Sequence, residues 1–182
     1  MNPNTQYSFR QNILIQILLM GLLALSVSAQ SDSQLDSTNL QLIEEEIGQM
    51  IMVGIRGTHL NDAAMLQTQS QITNGEIGGI IFFKHNIKNS RKFRIFVKGL
   101  KALPLDLPLF LAVDEEGGLV RRLKKSQGFE EFPAAAHVGA NLSASEAYDV
   151  YSKMAKQIHD SGLNLNLGPV VDVNINRLSP AI

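Results

Sequence analysis

The sequence predicts an α/β protein with a parallel sheet, and three observations carry that prediction. Short apolar runs without polar alternation recur at Ile51–Ile55, Ile80–Phe83 and Leu109–Val113, the pattern of strands buried on both faces. Stretches with helical periodicity separate them. After the third run the chain turns at once to Asp114-Glu115-Glu116-Gly117-Gly118, carboxylates and glycines where a strand would open into a loop. Strands and helices alternating in this way build parallel sheets with right-handed crossovers. A doubly wound sheet and a (β/α) barrel both fit. Four strands cannot close an eight-stranded barrel, and a whole one takes roughly 250 residues.

The chain of 182 residues opens with a leader. Residues 1–29 hold one basic residue, Arg10, no acid, and an apolar core from Ile13 to Val27, ending in the small residues Val27-Ser28-Ala29. This resembles a secretory signal peptide cut after Ala29, its apolar core being shorter than the roughly 18 residues a membrane span needs. Export to the periplasm or beyond is the expectation, with no membrane contact after cleavage. The formal net charge of −1 gives no reason to expect a nucleic-acid partner. With no cysteine, a small disulfide scaffold and a thiol nucleophile are both excluded.

Residues 30–39 read as a polar linker. Thr38 and Gln41 have capping-box spacing, and Leu40, Ile43, Ile47 and Met50 recur at helical intervals, with Gly48 weakening the helix end. Asn61-Asp62 can cap a second helix to about Thr73. Gly75 to Gly79 lead into the second strand, and Asn89 caps a third helix whose Phe93, Phe96, Val97 and Leu100 mark one face. Pro104 and Pro108 bracket the turn into the third strand. From Arg122 to Ala140, Gly128, Pro133 and Gly139 suit a long loop. Ser143-Ala144-Ser145-Glu146 is a second capping box, Val150, Tyr151, Met154, Ala155 and Ile158 form a buried stripe, and Gly162 is placed to stop that helix. Leu163 to Leu167 look like a fourth strand, continued after Gly168-Pro169 by Val170 to Val173. Ending just past a strand at Ile182 gives the domain an incomplete look.

Chemistry is expected at the carboxyl ends of the strands, where parallel α/β folds bind their ligands. Asp114 stands at one such end, Arg121 and Arg122 return positive charge to it, and Gly117-Gly118 permit a sharp turn or a close approach to a ligand. Lys84-His85-Asn86 and Asp172 sit at two other strand ends. Nucleotide binding is not indicated, because the Gly75–Gly79 cluster precedes its strand. The four histidines have no paired spacing for a metal, and no Gly-x-Ser-x-Gly elbow is present. Glu115 and Glu116 cannot flank one bond as a catalytic pair, since neighbours on an extended chain point opposite ways.

Five landmarks together resemble glycoside hydrolase family 3. They are Ile47-Gly48-Gln49-Met50, Gly78-Gly79-Ile80-Ile81-Phe82-Phe83 with Asn86, Ala112 to Gly118, Phe132-Pro133 with Ala134-Ala135, and Leu163 to Val173. They are similar in particular to the bacterial β-N-acetylhexosaminidase branch, in order from about Leu40 to Val173. The resemblance implies a TIM-type (β/α)8 barrel, of which residues 40–182 form the amino-terminal part, the first four or so strands. An open barrel of this kind leaves apolar strand edges uncovered.

The resemblance also implies roles. Asp114 matches the aspartate that binds hydroxyls of the sugar in the −1 subsite, and Arg122 the arginine that helps hold this region and the sugar. Leu119 and His85 stand where relatives often carry arginine. The nucleophilic aspartate, the His-Asp acid/base pair and a further sugar-binding arginine are implied to follow later in family members, leaving no catalytic residue in this chain. For the intact enzyme the resemblance implies retaining release of terminal β-linked N-acetylglucosamine from cell-wall or chitin-type glycans, without metal or cofactor. A β-glucosidase-type specificity and a non-catalytic sugar-binding relative are the alternatives.

Overall fold

The computed structural model describes residues 39–172 and 175. The chain falls into two compact units, residues 1–44 and 45–182. The leader, the Thr38 capping position and Val173 lie outside the described residues, and none of the described helices is long and apolar enough to cross a membrane.

A first helix, α1, is described over residues 39–49. It ends at Gln49, one residue past Gly48. A side chain at Gly48 would place its Cβ 1.8 Å from the Gly75 carbonyl oxygen, and one at Gly78 would meet the Gln49 backbone at 2.4 Å. These glycines let the helix end and the turn before the second strand touch backbone to backbone. The periodic apolar residues Leu40, Ile43, Ile47 and Met50 are all exposed.

Strand β1 (Met52–Gly54), α2 (Ala63–Thr73), β2 (Gly79–Phe82), α3 (Ser90–Lys101), β3 (Phe110–Val113), α4 (Ala135–Asn141), α5 (Ala144–Asp160) and β4 (Leu165–Asn166) follow. The strands form one parallel sheet in the order β1-β2-β3-β4. Each strand pairs with its neighbour in sequence and the order never reverses, which separates this arrangement from the doubly wound alternative. It is the order in which a (β/α)8 barrel begins.

Register aligns Phe82 with Val113 and Val113 with Asn166, so the carboxyl tips of β2, β3 and β4 lie level. On one face of the sheet Ile80, Phe82, Leu111 and Val113 are fully buried. Phe82 meets Phe93 and Phe96 of α3 edge-on, with ring centroids 5.1 and 6.0 Å apart. The cap and stripe expected for α3 are both present: Asn89 accepts from the Lys92 N–H, and Phe93, Phe96, Val97 and Leu100 are buried. The opposite face is less covered. Phe110 is 53% exposed, so burial on both faces does not extend to the start of β3.

Two further expectations need correction. The stretch from Arg122 to Ala140 is not one long loop, since it contains α4 and a 3-10 turn at Lys125–Gln127. Pro133 lies just before the helix rather than in it, and Gly139 sits within it against open space. The fourth strand is only two residues long and does not continue through Val170–Asp172. Asparagine side chains extend the pairing instead. Asn164 accepts from Leu111 N–H and donates to the Leu109 carbonyl, at 2.7 and 2.8 Å. Asn166 accepts from Glu115 N–H and donates to the Glu115 carbonyl, at 3.0 and 2.9 Å. Along β4 and α5 runs a groove of about 520 Å³ whose apolar lining includes Tyr151, Met154, Ile158 and Leu165.

Candidate functional site

Asp114 is the first residue beyond β3 and shares a face of the extended chain with Phe110 and Ala112. Its side chain is 24% exposed, so the carboxylate is reachable from the mouth of the sheet. Arg122 donates to Asp114 Oδ2 at 2.5 Å and is itself 21% exposed. The guanidinium lies 5.9 Å from the centre of the Phe83 ring, a cation–π distance. Phe83 follows β2, and Gly54 of β1 makes room for it, since a Cβ there would fall 2.9 Å from the ring. Three strand tips thus combine to fix one ion pair.

Arginine 122 reaches this point through a tight turn. Glu116 N–H donates to the Val120 carbonyl, and Gly117 and Gly118 take left-handed φ values of 83° and 59°. Their lack of side chains serves protein packing. A Cβ on Gly117 would lie 2.2 Å from the Pro133 carbonyl oxygen, and Gly118 N–H donates to the Phe132 carbonyl. Of the two uses these glycines permit, the sharp turn is present, and it brings them against the Phe132–Ala134 segment. Arg121 does not join Arg122. It donates to the Gly118 carbonyl and sits 3.5 Å from Glu131, fastening the turn.

The two glutamates diverge. Glu115 is wholly buried, and its Oε2 accepts the backbone N–H groups of Arg122 and Leu123 at 2.7 and 2.9 Å. Its Oε1 has no partner among the described residues. Burial is the largest influence on this carboxyl and holds it above the ordinary glutamate range, against the pull of the two N–H groups and both arginines. Glu116 stands on the Asp114 side, within hydrogen-bonding reach of it. Partial burial, that contact and the charges of Asp114 and Asp172 raise its titration, while Arg122 lowers it.

Glu115 yields a pH prediction. An acid that titrates higher in the folded chain than in the unfolded one stabilises the fold fully below its unfolded value, here 4.5. That contribution is lost as pH rises through the folded value. Glu115→Gln should therefore flatten the decline of the melting temperature between mildly acid and neutral pH. An unchanged slope would contradict the assignment.

The polar residues after β2 serve structure. Buried Asn86 accepts from Phe83 N–H and donates to the carbonyls of Ile55 and Gly57, tying β2 to the end of β1. His85 Nε2 lies 3.0 Å from the Ile55 carbonyl, and its ring stacks on Phe83. Lys84 is exposed. Asp172 belongs to no strand, yet its charge is felt by Glu116. Phe83, Glu116 and Asn166 were not singled out by sequence as site residues. The Leu-Asn-Leu-Asn-Leu alternation was the available signal for Asn166, because an asparagine in a strand needs partners. Among the described residues no group of three His, Asp or Glu is arranged to hold a metal ion.

An arginine-paired carboxylate at a strand tip suits a polyhydroxylated ligand, whose hydroxyls donate to the carboxylate and accept from the guanidinium. Comparison with known proteins gives the family. Residues 42–182 match the model of the glycosyl hydrolase family 3 N terminal domain. The chain is 34% identical over 128 residues to a beta-hexosaminidase of Pseudomonas aeruginosa, covering 70% of this chain and 36% of that one. It is 33% identical over 118 residues to beta-hexosaminidase A of Pseudoalteromonas piscicida, covering 61% and 20%. A solved family 3 beta-N-acetylglucosaminidase from Paenibacillus sp. superposes with a TM-score of 0.65 at 28% identity, over 72% of this chain and 24% of that one. Native NagZ from Neisseria gonorrhoeae gives 0.58 at 28%, over 69% and 36%. The chain thus spans between 20% and 36% of the length of these relatives.

Proposed function

Because this chain belongs to glycosyl hydrolase family 3, we propose that the whole protein hydrolyses O-glycosyl bonds, releasing terminal β-linked N-acetylglucosamine with retention. The relatives named beta-hexosaminidase and beta-N-acetylglucosaminidase support the sugar. Cell-wall or chitin-type glycans are its natural sources. Within the whole protein these 182 residues supply part of the sugar cradle, Asp114 and Arg122, and not the nucleophile or the acid/base. The observation that carries this reading is the 2.5 Å pair of Arg122 and Asp114 at the tip of β3, open to the mouth of the sheet. Arg122 orients the carboxylate, and a carboxylate so fixed can take two hydroxyls of one sugar ring through charge-assisted bonds.

The 182-residue chain assayed by itself is expected to give no turnover of a chromogenic N-acetylglucosaminide. Turnover above a blank would overturn the division of labour. We further propose export, supported by the apolar leader and the small residues at Val27-Ser28-Ala29. Sequencing the exported protein from its amino terminus should read from Gln30, and an intact Met1 would contradict it.

A further inference from the structure

Between Ile77 and Leu105 the chain has seven lysines and arginines, Lys84, Lys88, Arg91, Lys92, Arg94, Lys98 and Lys101, and no acid. The formal net charge of −1 for the whole chain conceals this concentration. Five of the seven lie on α3, and all seven are exposed. None has a carboxylate within 4.0 Å among the described residues. At 100° per residue, Arg91 and Lys98 fall on the side of α3 opposite the buried Phe93, Phe96, Val97 and Leu100, and Arg94 and Lys101 lie on the adjoining flank, next to Val97. Ile95, 62% exposed, lies at the edge of this stripe, between Arg91 and Lys92 around the helix. The result is a cationic stripe over the outer face and one flank of α3, with one apolar side chain at its edge.

We propose that this face of α3 is an electrostatic docking surface for an anionic phospholipid membrane. The reading is independent of the sugar site and departs from the expectation of no membrane contact after cleavage of the leader. A ridge of unpaired basic residues is attracted to a sheet of acidic headgroups, and Ile95 can enter the headgroup boundary between them. A nucleic acid fits less well. The aromatic rings of α3 are buried and none is left on its outer face to stack on a base. Because α3 runs back from the tip of β2 to the start of β3, docking along it would lay the sheet on its side. The mouth beside Asp114 would then open along the membrane rather than into it.

The chain contains no cysteine, so a single Ile95→Cys carrying an environment-sensitive fluorophore reports on this face alone. The label reads out α3 whatever the apolar leader does, because leader insertion is common to every variant and to neutral vesicles. Vesicles of phosphatidylcholine with phosphatidylglycerol should blue-shift the label, vesicles of phosphatidylcholine alone should not, and about 1 M salt should reverse the shift. At roughly fivefold per basic residue, adding Arg94→Gln, Lys98→Gln and Lys101→Gln should weaken the lipid response on the order of 100-fold. Lys153→Gln with Lys156→Gln on α5 should leave it unchanged. Circular dichroism of the same samples confirms that each variant keeps its helix content. Equal responses from the parent and the triple variant, or a response to neutral vesicles as large as to acidic ones, would overturn the proposal. A larger response to short duplex DNA than to acidic vesicles would overturn it in favour of a nucleic-acid partner.

Discussion

Replacing Asp114 by asparagine should weaken N-acetylglucosamine binding by about 10- to 150-fold, the range set by roughly 1.5–3 kcal/mol for a hydrogen bond to a charged group. In the whole protein the same factor should appear in kcat/KM for an N-acetylglucosaminide. The substitution is nearly isosteric, so shape is kept and charge is removed. Two losses combine. The sugar hydroxyls lose a charged acceptor, and the Arg122 guanidinium, only 21% exposed, loses its anion while remaining close to the Phe83 ring. Arg122→Lys should reproduce part of the loss, because an ammonium lacks the planar fork that can bond Asp114 and face an aromatic ring together. Titration calorimetry of the variants against the parent checks both. Undiminished affinity in Asp114→Asn would mean that the sugar is held elsewhere.

Gly117→Ala should be among the most damaging single methyls at the described glycines. Its φ of 83° costs a side-chain-bearing residue about 1–2 kcal/mol. The new Cβ would also lie 2.2 Å from the Pro133 carbonyl oxygen, where backbone rather than a flexible side chain must move. Moving it strains the Gly118 N–H bond to the Phe132 carbonyl and, through the turn, the two N–H groups that Glu115 accepts. A total near 3–5 kcal/mol follows, a large part of the roughly 5–15 kcal/mol that holds a domain folded. Gly139→Ala is the matched control. It lies inside α4 with nothing within 4 Å of the new Cβ, and helix propensity should leave it neutral or stabilising by up to about 1 kcal/mol. Urea unfolding of the pair should show the contrast, and similar midpoints would refute it.

What the sequence disclosed, and what it withheld, follows the range of the interactions. Most local signals survived, although Asp62, at the N-cap position of α2, accepts from the Thr58 and His59 N–H groups and makes no side-chain cap bond. Asn89 caps α3, the Ser143–Glu146 box caps α5, and Gly162 ends α5 with a φ of 87°, because each is decided within one helical turn. The first three strands also survived, while the apolar pair Val170-Val171 did not extend the fourth. The turn after β3 did not read so well. Arg121 and Arg122 look equivalent in sequence, yet one bonds Gly118 and Glu131 while the other bonds Asp114, a difference fixed by which side of the turn each occupies. Gly48, Gly75 and Gly117 were legible as glycines but not as contacts, because their partners lie 15 to 30 residues away in the chain. Asn164 and Asn166 looked like polar alternation in a strand. They stand in for ladder bonds to a strand more than 50 residues earlier.

The most direct measurement is a nuclear magnetic resonance titration of the 182-residue chain, carrying ¹³C in its aspartate carboxyls and ¹⁵N in its arginine side chains, with N-acetylglucosamine. Saturable shifts are expected at the Asp114 carboxyl and the Arg122 guanidinium together, and neither should appear at Arg122 in Asp114→Asn. Sugar-dependent shifts confined to other residues, with Asp114 and Arg122 unmoved, would contradict the account.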